Sequence, residues 1–401
     1  VRVYLGFYYG STPEVLVQFS GHIAEPFVSA GNGTVTARLK DRAWALEHAR
    51  HSTTLYMPGT PSGYSGYPDD YIGALLDLVP LADRPSTDLD RGCFPLMFAW
   101  LDDDPLWEEL GRVAAVQGGM VWFDKAGTLV FRDASFFVLN ATSVHTFTTA
   151  RDLQESWREA DIWNHVVVRW SGGRVARLAE LWAQTEPLPP LRAGDSTTVQ
   201  ANFGAPAYAV ATPVADTDYR AVRHDGMEAT KDLRVSAAAY AQRVMLTLTN
   251  EGSAPLYVTK LRLRGWPVDF QDEQTTEAED AASIATYGRR TLQVRLLYVQ
   301  SRGQAEAVRD FLLHRYKEPR ATYSLRVRAI PWLEVGDRVT VRISRTGHDE
   351  DFFVMGMRQE FSARGGYWQT LTLLRCADLL PYSNWFVVGT TAYGTAGRWF
   401  F

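Results

Sequence analysis

The sequence predicts a β-rich α+β fold built from several small units, and three stretches predict it. Residues 301–375 read as one helix followed by alternating strands, residues 104–132 as a helix running into a hairpin, and the opening forty residues as strand and turn alone. In the first of these, Ser301 and Gln304 have the spacing of a capping box. Ala305, Val308, Phe311, Leu312 and Tyr316 follow the helical period, and Pro319 closes the segment. Strict alternation follows, with Tyr323, Leu325 and Val327 facing one way and Ser324, Arg326 and Arg328 the other. Gly336-Asp337 makes a turn, after which Val339, Val341 and Ile343 repeat the pattern against Arg338, Thr340 and Arg342. Phe353, Met355 and Met357 continue the core-facing set, and Tyr367, Gln369, Leu371 and Leu373 resume it after Gly365-Gly366. No catalytic group is embedded in this unit.

The remaining elements follow in chain order. Val1, Val3 and Leu5 alternate, Val15–Phe19 forms a strand ending at Gly21, and Gly31-Asn32-Gly33 is a hairpin turn before the strand Thr34–Leu39. Asp41 is placed to cap a short helix. Ile72, Leu75, Leu76 and Val79 form a helix face ended by Pro80. Asp104-Pro105 reads as an N-cap with proline at the first helical position, and Glu108 and Glu109 complement the helix dipole. Leu106, Leu110, Val113 and Ala114 form that helix's apolar stripe, Gly118-Gly119 ends it, and a hairpin turns through Asp124-Lys125-Ala126-Gly127. Residues 196–265 look all-β and sandwich-like, and an acidic linker (DEQTTEAEDAASI) leads into the last unit.

Composition narrows the function classes. Hydrophobic content of 46% and aromatic content of 12% over 401 residues support ordinary packed cores. The net charge of −5 lacks the basic footprint of a chain that neutralises nucleic-acid phosphates. No apolar run approaches a membrane span, and no export leader is expected. Cys93 and Cys376 are far apart and read as buried small hydrophobes, with their spacing giving no argument for a disulfide. Only five lysines occur (Lys40, Lys125, Lys231, Lys260 and Lys317), so the basic side chains are overwhelmingly arginine.

Groups that resemble active-site chemistry have plainer readings. Asp102-Asp103-Asp104 could be metal ligands or a glycosidase pair, but a helix cap followed by proline and two glutamates accounts for it. His48 and His51 lack a third ligand. No GxSxG elbow or HExxH run appears. The expectation is therefore a chain with no catalytic residues, no metal and no cofactor. Arg326, Arg328, Arg338 and Arg342 read equally as a lumen or inter-subunit face and as a solvated strand face, with an edge to the interface because a bare strand edge invites mispairing.

Taken in order, four segments resemble the hub family of bacteriophage tails, which includes baseplate hubs, siphophage tail-tip hubs (the N-terminal part of tail-associated lysins) and the hub part of type VI secretion spikes. They are VLVQFSGHI followed by VTARLKD, then LWEELGRVAAVQGGMVWFDKAGTLVF, then NHVVVRW, then DAASIATYGRRTLQV leading into PWLEVGDRV. With the helix before PWLEVGDRV and the alternating strands after it, they span residues 15–375. The resemblance implies two tail-tube-like β-barrel domains plus smaller α/β domains, and here an inserted β-sandwich-like module. On that basis residues 1–55 supply first-barrel strands, 56–140 a helix-plus-hairpin domain, 141–195 a connecting domain, 196–275 the insert, 276–384 the second barrel and 385–401 a tail.

The resemblance also implies a trimeric ring in the virion tail tip that presents pseudo-sixfold symmetry to the hexameric tail tube. Its partners would be two further copies, a distal tail or tail-tube protein, the tape measure protein, and a tip, fibre or spike protein. The genome would pass through the lumen without sequence-specific binding, and no membrane segment is implied. Arg326, Arg328, Gly336, Asp337, Arg338, Arg342, Gly21 and Asp41 are the expected structural or inter-subunit residues. Three departures stand out. The sequence is read as starting inside the expected first barrel, residues 196–265 as longer than a minimal hub needs, and no hydrolase or fibre is expected after residue 401. A carbohydrate-binding or carbohydrate-cleaving receptor protein and a secretion-spike hub are the alternatives.

Overall fold

Gly21 divides the first sheet into two hairpins that share one strand. The fold is that of a computed structural model, which describes residues 1–9, 12–29, 34–56, 66–96, 99–157, 159–296, 298–299, 301–362, 365–379, 385–386 and 398–399. β1 (Arg2–Tyr9), β2 (Thr12–Ser29) and β3 (Thr34–Asp41) form an antiparallel meander. β2 pairs with β1 through Ser20 and with β3 from Gly21 onward. The expected end of the strand at Gly21 is thus corrected: the strand continues and changes partner there. A Cβ at this position would lie 2.0 Å from the Lys40 carbonyl oxygen and 2.7 Å from the Phe19 ring, so only glycine permits the close approach. The Gly31-Asn32-Gly33 turn lies outside the described residues.

The largest apolar core belongs to the helical part of the chain. α1 (Ala43–His48), α2 (Pro68–Asp77) and α3 (Leu106–Val116) are followed by the hairpin strands Met120–Phe123 and Leu129–Arg132 and by α4 (Ala134–Leu139). The stripe Leu106, Leu110, Val113 and Ala114 is buried as its period requires. Pro105 occupies the cap position itself, so the helix starts one residue later than expected, and Asp104 instead pairs with Arg112 at 3.1 Å.

A mixed three-stranded sheet lies against this core. Its central strand, His165–Trp170, pairs antiparallel with Gln274–Glu279 and parallel with Thr291–Arg295. Asn164, fully buried, fixes the connection: its amide nitrogen donates to Ser283 Oγ and the Gly288 carbonyl, and its oxygen accepts from Arg290 N. α5 (Ala281–Tyr287) is capped by Asp280, whose carboxylate accepts from Ser283 N. α6 (Arg302–Tyr316) packs on this sheet, with Ala305 and Val308 buried among the helical-core residues. Ser301 Oγ accepts from Gln304 N, one arm of the expected box.

Trp170 and Gln274 are ladder partners, so residues 171–273 leave and re-enter the mixed sheet at adjacent points. They contain a two-layer sandwich. One layer is the strands Ser196–Asn202, Arg243–Asn250 and Leu233–Ala239; the other is organised on the long strand Tyr257–Phe270. Val244, Leu246 and Leu248 meet Val258, Leu261 and Leu263 in a separate core. Because that core is self-contained, replacing residues 173–270 by a short Gly/Ser link is expected to leave the rest folded. Far-UV and near-UV circular dichroism of the shortened protein, with one cooperative melt, is the check.

The C-terminal sheet has six strands in the order Asp152–Trp157, Ala321–Arg328, Gly366–Arg375, His348–Ser362, Arg338–Ile343 and His145–Phe147. Its two edge strands are consecutive in the chain. At roughly 3.8 Å per residue step, the link between Phe147 and Asp152 holds them within about 19 Å, so the sheet must curl around its own core of Tyr323, Leu325, Val339, Val341, Leu371 and Leu373. The expected barrels are corrected here, for no barrel closes among the described residues. The edge strands do not pair with each other, and the meander is an open three-stranded sheet.

A second correction concerns Phe353 and Met355. A register shift between Val354 and Gly356 breaks the alternation, so Phe352 and Val354 face the sheet's core. Phe353 faces the other way, against Phe137 and Cys376 of α4 and α7 (Cys376–Leu379), and Met355 packs there too. Cys93 and Cys376 are both free and buried.

Candidate assembly site

Three parts of the chain meet at one residue of the hairpin formed by Met120–Phe123 and Leu129–Arg132. Thr128 N donates to Asp124 Oδ1 at 2.7 Å, and Gly127 N donates to the Asp124 carbonyl at 3.0 Å, which sets the turn. The turn presents Lys125 to the C-terminal sheet, where its ammonium donates to the Pro331 and Leu333 carbonyls at 2.7 and 2.6 Å. The meander reaches the same carbonyl, as Gln18 Nε2 donates to Pro331 O at 3.2 Å. The Tyr367 hydroxyl lies 2.9 Å from Gln18 Oε1 and 2.8 Å from Gln359 Oε1, its single proton serving one at a time.

The Gly336-Asp337 turn is seated by the same hairpin. Gly336 has φ of 91°, and a Cβ there would lie 2.9 Å from the Trp122 ring. Asp337 Oδ2 accepts from Glu334 N at 2.8 Å, closing the loop that carries both carboxylates.

Between the three parts lies a cleft of about 540 Å³. Its walls include Tyr4, Phe19, Phe123, Phe361 and Tyr367, and its charged lining is Asp41, Asp124, Lys125 and Glu334. Burial pushes the Glu334 carboxyl up to about 7, against the pull of Lys125. Burial also raises Asp41 and Asp337 above the usual carboxylate range and lowers Lys125. A carboxyl whose pKa is raised on folding contributes stability that is complete at acid pH and lost as pH rises through its folded value. Hydrogen exchange at Gly336 N and Val354 N, which close this loop, is therefore expected to quicken between pH 5.5 and 8 beyond the intrinsic chemical rate. In Glu334→Gln that excess should vanish.

The expected site residues divide into two groups. Gly336 and Asp337 sit at the junction, Asp41 lines the cleft, and Gly21 marks the partner change in β2. Asp41 Oδ1 accepts from Ala43 N at 3.1 Å, close to the capping role expected of it. The arginines lie on the outer face of the six-stranded sheet with partners in the same chain. Arg326 pairs with Glu360 at 2.8 Å, Arg338 with Asp351 at 2.6 Å, and Arg342 with Asp349 at 2.9 Å. Arg328 lies over the Trp368 ring, 5.7 Å from its centroid. Gln18, Trp122 and Glu334 carry no local signal in the sequence, Lys125 has one only as a residue of the Asp124–Gly127 turn, and Tyr367 only as a member of a strand's core-facing set.

The other candidate chemistry does not converge. The Asp102–Asp104 run ends a strand paired with Arg50–Tyr56, and His48 stacks on Trp44 with ring centroids 4.7 Å apart. Among the described residues no group of three His, Cys, Asp or Glu side chains could hold a metal. Among them, too, no helix is long and apolar enough to cross a membrane.

No family's sequence profile matches the chain, and no curated protein does. Solved structures align with it over most of its length, each at low identity and with a TM-score below 0.5. A tail protein from Neisseria meningitidis MC58 is 14% identical with a TM-score of 0.48, over 90% of this chain and 82% of that one. The 43 kDa tail protein of prophage MuSo2 from Shewanella oneidensis is 12% identical with a TM-score of 0.47, over 94% and 90%. A prophage tail protein from Listeria monocytogenes EGD-e is 10% identical with a TM-score of 0.43, over 92% and 82%.

Proposed function

We propose that this chain is a non-enzymatic structural subunit of a bacteriophage tail, the hub at the tip or baseplate. Three copies would form a ring that mates with the hexameric tube above and the tip below. The tape measure protein and the genome would pass through its channel. The observation that carries this reading is where the ordered segments land. VLVQFSGHI forms the partner-changing strand of the meander, the second segment forms α3 and the hairpin that presents Lys125, and PWLEVGDRV forms the loop that Lys125 grips. Three of the segments that suggested the family thus meet at one junction, while NHVVVRW and the strand Thr291–Arg295 pair with each other in the mixed sheet.

In this reading the work is geometric. The curled six-stranded sheet and the meander would supply the two tube-like parts of each subunit, turning three copies into a sixfold mating surface. The domain limits drawn from the sequence belong to the same proposal. Mass photometry and electron cryomicroscopy of the purified protein, alone and with tube protein, are expected to show three-subunit rings. A protein that stays monomeric in both conditions overturns the reading.

A further inference from the structure

The junction cleft is a built surface without a partner in the described chain. Phe361 and Tyr4 stand at its lip 67% and 52% exposed, and Val3 beside them is 40% exposed. Large apolar side chains at the rim of a concave site mark a contact surface, and about 540 Å³ is the size of pockets that take a bound group. Its charged lining is three carboxylates against one lysine, with Asp337 close behind. The lysine is already engaged with two carbonyls. Aromatic walls over carboxylates suit a guanidinium, which stacks on rings and pairs with acids at once.

The same sheet carries such a group at its other end. The strand Arg338–Ile343 leads away from Asp337, and the hairpin Ser344-Arg345-Thr346-Gly347 turns it back into His348–Ser362. Six strand residues at roughly 3.3 Å each put the hairpin tip about 20 Å from the junction. Gly347 N closes the turn on the Ser344 carbonyl at 3.4 Å. Arg345 is exposed and makes no hydrogen bond or ion pair among the described residues, unlike Arg338 and Arg342 before it. One unpaired cation therefore stands at one end of the sheet, and an acidic aromatic cleft opens at the other.

We propose that the cleft receives the Arg345 hairpin tip of a second copy of this chain, in a head-to-tail contact. Donor and acceptor are different surfaces of the subunit, so the contact is heterologous and closes into a ring when its rotation allows. This rests on the ring-forming reading above and names the contact within it.

Cysteine cross-linking tests it, since both native thiols are buried. Ser344→Cys and Val3→Cys alter exposed side chains beside the contact and leave Arg345 and the aromatic walls of the cleft in place. Under mild oxidation a 1:1 mixture is expected to give a covalent heterodimer, and the double variant a covalent ladder ending at the ring. Arg345→Glu is expected to weaken self-association at least tenfold in sedimentation. Rings that survive Arg345→Glu unchanged, with no heterodimer in the mixture, overturn this contact while the ring reading stands. Disulfide homodimers of a single variant in place of the heterodimer overturn it in favour of a symmetric contact. A wild-type chain that remains monomeric, alone and with tube protein, overturns both.

Discussion

Gly336→Val is expected to lower the stability of the C-terminal unit by roughly 2–4 kcal/mol, the cost of a β-branched residue at positive φ plus overpacking. Gly336 holds φ of 91°, and its missing Cβ is where the Trp122 ring packs. Valine would both strain the backbone and displace Trp122. The Gly336 N–H to Val354 carbonyl bond, at 2.8 Å, would be pulled with it. Urea unfolding followed by Trp fluorescence is the measurement, with Gly336→Ala giving a smaller loss. Because the same loop supplies the carbonyls that hold Lys125 and Gln18, hydrogen exchange in β2 should rise in Gly336→Val. An unchanged midpoint and unchanged exchange would mean that the hairpin does not seat this turn.

Glu109→Ala carries the other large expectation, a loss of about 2–4 kcal/mol, as when buried hydroxyls lose a charged acceptor. Glu109 is fully buried in α3. Its Oε1 accepts from the Tyr71 hydroxyl at 2.6 Å and from the Tyr298 hydroxyl, and its Oε2 accepts from Arg112 at 3.2 Å. Truncation removes the carboxylate that two buried hydroxyls share and one of the acceptors of the Arg112 guanidinium. Burial raises the Glu109 carboxyl above its usual range, with the tyrosine hydrogen bonds opposing. Its pH-linked contribution is therefore greatest in acid and declines as pH rises through the folded value. Glu109→Gln keeps an acceptor for the tyrosines, so it is expected to lose less and to flatten this pH dependence. Thermal melts of the three proteins at pH 5 and pH 8 give the comparison.

Local patterns in the sequence were read well where one physical signal dominated. Tyr323, Leu325, Val327, Val339 and Val341 alternate because one face of a strand is buried, and the structure buries them. The stripe of α3 and the Ser301 cap are helical signals of the same local kind. The Phe353, Met355, Met357 alternation fails because a bulge between Val354 and Gly356 needs no special residue type: Met357 beyond it meets the sheet's core, while Phe353 and Met355 before Gly356 face the other way. Gly21 looked like an end because glycine ends strands more often than it lets one strand pass between partners.

The junction was legible only in part. Gly336-Asp337 announced a turn, but its occupant, Trp122, lies in another unit. Lys125 and the carbonyls it grips are separated by 206 and 208 residues. No local period encodes such a pairing, since either partner alone would serve as a solvated turn. The sequence by itself determined the helix stripes and the strand faces outside the Val354–Gly356 bulge, because burial writes a period into the residues it covers. Tertiary structure alone decided that α6 packs on the mixed sheet, that the six-stranded sheet curls without closing, and that an acidic aromatic cleft opens where three units meet. Those outcomes depend on which distant surfaces exclude water together, and no single segment carries that information.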